Sequence, residues 1–121
     1  MSRARPDIVT HQTRGGVVTA AINRSTVGQI EAVEIAEQLV PLIGEAGSLR
    51  GFVLDLREVE YVNSSGLGLI IDLGNRAKER GATAVAFGLR AEIKALFELM
   101  KIGRFYQFAP DADAAMKIAR G

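Results

Sequence analysis

Apolar residues along this 121-residue chain change their period several times, and each change marks a new element. From Asp7 to Thr13 and from Val17 to Ile22 the chain is rich in Val, Ile and Thr, with Arg14-Gly15-Gly16 between the two runs. β-Branched runs around a pair of glycines predict a β-hairpin. Asn23-Arg24-Ser25-Thr26 then offers capping side chains. After it Ala32, Ile35, Ala36, Leu39 and Ile43 recur at helical spacing, while Glu31, Glu34, Glu37 and Gln38 fall mostly off that stripe. The pattern predicts an amphipathic helix that kinks or restarts at Pro41 and ends over Gly44 to Gly47.

Gly51-Phe52-Val53-Leu54-Asp55-Leu56 is apolar with little alternation, as a central strand covered on both faces is. Beyond Tyr61-Val62, the cluster Asn63-Ser64-Ser65 predicts a helix start, with Leu67, Ile70, Ile71, Gly74 and Ala77 on one face and Gly81 as the stop. Thr83 to Phe87 reads as another buried strand. Ile93, Leu96, Phe97 and Met100 stripe a third helix ending near Gly103; a short strand at Phe105 to Phe108 and a helix from Asp111 to Ala119 follow. Strand and helix alternate, which predicts an α/β fold: a mainly parallel sheet, joined by right-handed crossovers, with an N-terminal hairpin and helices packed on it.

The length suits one domain spanning residues 1–121, with 1–6 as a flexible tail. Fifteen Lys and Arg against fourteen Asp and Glu leave a net charge of +1, with no basic block to neutralise a phosphate backbone, so nucleic acid is not an expected partner. The short Ser2-Arg3-Ala4-Arg5 cluster is a solvated terminus on this reading. Without Cys the chain has no disulfide, thiolate metal site or Cys nucleophile. It opens on no signal-peptide stretch, and its longest apolar runs, such as Leu67 to Ile71, are far shorter than the ~20 residues that span a bilayer. The expectation is a cytoplasmic protein without membrane insertion.

Little in the chain resembles a catalytic apparatus. The sole histidine, His11, sits in the first strand, Ser64 and Ser65 lie outside any Gly-x-Ser-x-Gly turn, and no phosphate-cradling Gly-x-x-x-x-Gly-Lys-Ser/Thr loop occurs. Glu34, Glu37 and Asp72 come nearest to a carboxylate cluster, which is no basis for a metal site. No enzyme, catalytic residue, cofactor or metal is expected.

Asn63-Ser64-Ser65-Gly66 holds the interest, because it follows a buried strand, and the carboxyl ends of parallel strands are where such folds present sites. N–H groups at a helix start, with the positive end of the dipole, suit a phosphate on a hydroxyl placed there. Helical geometry puts Ser64, Gly68 and Asp72 in one row with Leu69 and Leu73 beside it, facing either a partner or the chain's own core. Gly68 is unfavourable in mid-helix, which suggests close approach by another surface.

Read in sequence, Gly-Phe-Val-Leu-Asp-Leu (51–56), Tyr-Val-Asn-Ser-Ser-Gly-Leu-Gly (61–68), Arg-Ala-Lys-Glu-Arg-Gly (76–81), Ala-Val-Ala-Phe-Gly-Leu (84–89) and Leu-Phe-Glu-Leu-Met-Lys-Ile (96–102) closely resemble the STAS domains of bacterial anti-sigma factor antagonists. The motifs cover about half the chain; Thr10 to Glu45 matches by pattern alone. The resemblance implies a STAS fold with a four- to five-stranded sheet and about four helices. It also implies a partner switch: an anti-sigma factor that is a GHKL-type serine kinase phosphorylates the serine aligned with Ser64, Ser65 being the adjacent hydroxyl, and a serine phosphatase resets it. The partner-binding residues implied are Asn63, Ser64, Ser65, Gly66, Gly68, Leu69 and Asp72, bordered by Asn23 and Ser25. A homodimer is left open. Asn63 departs from the family's usual Asp, and this favours an alternative, a non-phosphorylated STAS subunit of a lipid-transport ATPase or a stress-sensing assembly.

Overall fold

The computed structural model describes residues 7–45 and 47–121, so the N-terminal tail lies outside the described residues. Gly15 and Gly16 take φ values of 60° and 81°, the doubly positive pair of a two-residue hairpin turn, and join β1 (Val9–Arg14) to β2 (Val17–Ile22) in antiparallel register. From there the order is β3 (Thr26–Val27), α1 (Gln29–Glu45), β4 (Gly51–Asp55), β5 (Tyr61–Val62), α2 (Ser64–Glu79), β6 (Thr83–Phe87), α3 (Ala91–Leu99), a 3-10 turn (Ile102–Arg104), β7 (Gln107–Ala109) and α4 (Ala112–Arg120).

The main sheet has five strands in the order β1-β2-β4-β6-β7, parallel except for the hairpin pair. Strand alternation divides its side chains between two faces. Val18, Ala20, Ile22, Phe52, Leu54, Ala84 and Ala86 face one core, which the buried stripes of α1, α2 and α3 fill. Val17, Val53, Val85 and Phe87 face the other, covered by Ala115 and Ala119 of α4. Every residue of β4 is buried, which explains why its sequence shows no alternation.

Four local expectations are corrected. Asn23 to Thr26 does not cap α1: Thr26 and Val27 pair in parallel with Tyr61 and Val62 as a separate two-stranded sheet. The helix starts at Gln29, where the Gly28 carbonyl accepts from Ala32 N–H at 2.9 Å and the Glu31 carboxylate accepts from Gly28 N–H at 2.9 Å, a capping-box contact. Of the kink or restart expected at Pro41, the restart is absent: α1 is one helix from Gln29 to Glu45, with Leu39 and Ile43 buried on either side. Met100 is 46% exposed, because α3 ends at Leu99 and Lys101 turns the chain at φ 58°; Ile102 in the 3-10 turn takes the buried place instead. The last strand lies at Gln107–Ala109, two residues later than predicted at its start, with Tyr106 ahead of it in the core.

Tyr106 fixes α2 from below. Its hydroxyl donates to the Ile70 carbonyl at 2.6 Å, and full burial pushes that hydroxyl's pKa far above its usual range, so it stays a neutral donor. Its ring fits only because residue 74 is glycine: a β-carbon there would lie 2.6 Å from the ring. Gly66 is excluded from carrying a side chain for a like reason, since a β-carbon would collide with the Val27 carbonyl of β3. Gly68, by contrast, has nothing within 4 Å of that position.

These three glycines give opposite expectations within one helix. Gly68→Ala should stabilise the protein by about 0.5–1 kcal/mol through helix propensity. Gly66→Ala and Gly74→Ala should each destabilise by about 1–3 kcal/mol, because packing strain outweighs propensity. Tyr106→Phe, which keeps the ring and loses one buried hydrogen bond, should cost about 1 kcal/mol. Urea unfolding with unchanged m-values measures all four, and a stabilising Gly74→Ala would contradict the packing argument.

Candidate functional site

Asn63 leaves β5 with φ −94° and ψ −172°, the extended geometry of an N-cap, and its Oδ1 accepts from the Gly66 N–H at 3.0 Å. Its carbonyl accepts from Leu67 N–H at 2.9 Å and opens the helical ladder. Ser64 and Ser65 are therefore the first two residues of α2, and both are exposed. The sequence expectation of a helix start here is met residue for residue. At this terminus the free N–H groups and the positive end of the dipole favour an anion on the Ser64 hydroxyl.

Neighbouring segments hold this end in place. Asn63 N–H donates to the Val27 carbonyl at 3.2 Å, while Glu60 N–H and Tyr61 N–H both donate to the Ser25 carbonyl, at 2.7 and 2.9 Å. Ser25 is thus joined to the segment that leads into the helix start. Upstream, the Asp55 carboxylate closes the exit of β4 by accepting from the Arg57 backbone at 3.0 Å and from its guanidinium at 2.8 to 3.2 Å. Asp55 holds the Arg57 guanidinium above its usual pKa, and the same group lies 5.4 Å from the centre of the Phe87 ring. Arg90 donates to the Arg57 carbonyl at 3.3 Å and lies 3.8 Å from Glu60. The loop that delivers Ser64 is pinned at several points.

The residues expected at the site separate into groups. Ser64, Ser65 and Gly68 are exposed and Asp72 is partly so, forming the surface row. Asp72 pairs with Arg76 at 2.8 Å across one turn, which raises the pKa of Arg76. Leu69 does not belong to the surface: it is 7% exposed and, with fully buried Leu73, packs in the core under α2. Gly66 is buried against β3 and gives the site shape without offering surface. Ser25 is exposed, whereas the Asn23 side chain donates to the Asp7 carbonyl ahead of β1 at 3.0 Å and to Thr10 Oγ1 within β1 at 3.4 Å.

On α1 and β5, three exposed apolar side chains went unnoticed in the sequence, apart from Leu99 and Phe108 elsewhere. Ile30 is 73% exposed, Val33 53% and Tyr61 58%. Ile30 follows Gly28 by two residues, and a β-carbon on Gly28 would lie 3.3 Å from Asn63 Nδ2. Tyr61 is the cross-strand partner of Thr26 and precedes Ser64 by three residues. Ile30 and Val33 could have been found as apolar residues outside the Ala32, Ile35, Leu39 stripe. His11 is exposed on β1. Among the described residues no three His, Asp or Glu side chains converge to hold a metal ion, and no helix is long and apolar enough to cross a membrane.

Comparison with known proteins agrees with this fold. The family model for the STAS domain matches residues 12–115. Among solved structures, TM1081 of Thermotoga maritima superposes with a TM-score of 0.79 at 16% identity, over 99% of this chain and 94% of that one. An anti-sigma factor antagonist from Mycobacterium paratuberculosis gives 0.74 at 21% identity over 98% and 100% of the two chains. The anti-sigma factor antagonist SpoIIAA in its unphosphorylated form gives 0.73 at 11% identity over 93% and 98%. These likenesses concern the fold, and the family match extends over most of the sequence. The chain belongs to the STAS-domain family, and its sheet and four helices are that family's fold.

Proposed function

We propose that this chain is a cytoplasmic anti-sigma factor antagonist acting as one domain, whose partner is an anti-sigma factor with GHKL-type serine kinase activity. The observation that carries this reading is the placement of Ser64. Its hydroxyl is exposed at the first position of a helix whose start is held by an Asn63 cap and by β3. In phosphorylation the Ser64 hydroxyl oxygen bonds the γ-phosphorus of ATP, its proton passes to a base of the kinase, and ADP leaves. A serine phosphatase reverses the modification. SpoIIAA, similar in fold, is known in a phosphorylated form, which supports the reading by analogy.

The surroundings of Ser64 fit a switch. Unmodified, the exposed residues of the row Ser64, Gly68 and Asp72, with Ser65 and Ser25 and the exposed apolar Ile30 and Val33 of α1 and Tyr61 of β5, give a partner both polar and apolar groups to meet. The partner would present basic groups, because α1 carries four glutamates and neither Lys nor Arg. A phosphate on Ser64 adds about two negative charges to a protein face on which α1 is already acidic, and it must be desolvated on docking, so the modified form releases the partner.

Incubation with candidate anti-sigma kinases and ATP, followed by phosphate mapping by mass spectrometry, tests the reading. Phosphate on the Ser64 peptide, absent from Ser64→Ala, is the expected result. Absence of kinase binding, with co-purification of a transporter ATPase instead, would move the chain to the non-phosphorylated STAS subunits. A second outcome separates surface from stability: Gly68→Ala should weaken partner binding roughly tenfold although it stabilises the fold, because its β-carbon enters space a partner needs. Calorimetric titration measures this, and unchanged affinity would place the contact elsewhere.

A further inference from the structure

Two helix caps meet at Gly28. Glu31 closes the start of α1 by accepting from Gly28 N–H at 2.9 Å, and Asn63 closes the start of α2 by accepting from Gly66 N–H at 3.0 Å. The position that a β-carbon would take on Gly28 lies 3.3 Å from Glu31 Oε1 and 3.3 Å from Asn63 Nδ2. A carboxylate oxygen and an amide nitrogen therefore flank the same glycine. The orientation of the Asn63 amide is set by its cap, since the oxygen is taken by Gly66 and the donor end is left on the Gly28 side.

We infer that Glu31 supplies the negative charge beside Ser64 that residue 63 does not carry, and that positions 31 and 63 accommodate one carboxylate between them. This rests on the reading of Ser64 as a kinase substrate. An Asp at position 63 would keep the cap, for Asp and Asn cap equally well, and would turn its second oxygen toward Glu31 in place of the amide nitrogen. Two like charges then share the space around Gly28 and repel one another. With Asn63 the two groups that flank Gly28 are a donor and an acceptor. Glu31 is thus a positioning residue: it fixes the start of α1 and sets the charge that a kinase meets next to the Ser64 hydroxyl.

The test is a double-mutant cycle over wild type, Asn63→Asp, Glu31→Gln and the combined variant, read first by urea unfolding. Asn63→Asp should raise the unfolding equilibrium constant about two- to threefold when Glu31 is present, as like-charge neighbours do, and leave it unchanged or lower it in the Glu31→Gln protein. The coupling should fade in 1 M salt. Additive effects, or coupling that ignores salt, would overturn the charge-sharing claim. The second reading is kinase kinetics on the same four proteins. Glu31→Gln should lower kcat/KM for Ser64 phosphorylation roughly tenfold, mainly through KM, and adding Asn63→Asp to Glu31→Gln should restore it. Unchanged kinetics for Glu31→Gln, or no rescue, would overturn the recognition role. If no kinase modifies Ser64 in any variant, the functional reading fails by itself, and the unfolding cycle still decides whether positions 31 and 63 share one charge.

Discussion

The contact between β3 and the first turn of α2 is the constraint on which the site depends. The Val27 carbonyl accepts the Asn63 N–H and sits where a side chain on residue 66 would have to go. That one group fixes the direction in which the chain leaves β5 and the start of α2. It also brings α1 close, because Gly28 and Gln29 follow Val27 directly. Below, Tyr106 reaches the Ile70 carbonyl and holds the middle of the same helix. A helix held at its first turn and at its centre presents Ser64 in one geometry, which is what recognition by a partner at modest entropic cost requires.

Charge distribution gives this end of the molecule its character. The near-zero net charge hides an uneven arrangement: α1 has only acidic charged residues, whereas the last turns of α2 and α4 carry Arg76, Lys78, Lys117 and Arg120. Basic groups at helix C-termini are favourable with the dipole, and the same logic makes the start of α2 receptive to an anion. On the proposed reading, a phosphate on Ser64 would be stabilised by its own helix while adding to the acidity that a docking partner meets. The two effects act on different states, the free modified protein and the complex, and together they favour release.

Much of the fold was legible because its elements are long or fully buried. The runs Gly51 to Leu56 and Thr83 to Phe87 read as covered strands, and the Asn63 cap was visible from residue types alone, since its partner is three residues away in the same helix. What escaped notice depends on contacts distant in sequence. Thr26–Val27 and Tyr61–Val62 are two residues each, too short to show a period, and exist as strands only because they pair with each other. Capping oxygens at Asn23 to Thr26 pointed to a helix start that Gly28 and Glu31 provide instead. Helical spacing put Leu69 near the Ser64 row, and only the packing of α2 on the core shows that it faces inward. The nearness of Glu31 to Asn63 joins two helices 32 positions apart and has no trace in local pattern.

Hydrogen–deuterium exchange of the free protein, and of the protein mixed with the anti-sigma kinase proposed as its partner, tests most directly whether the start of α2 is the partner-facing surface. The account predicts added protection over residues 24–34 and 60–72, with little change in α4 or in the β6 to β7 region. Protection centred on α3, β7 or α4, with the Ser64 segment exchanging as in the free protein, would contradict it.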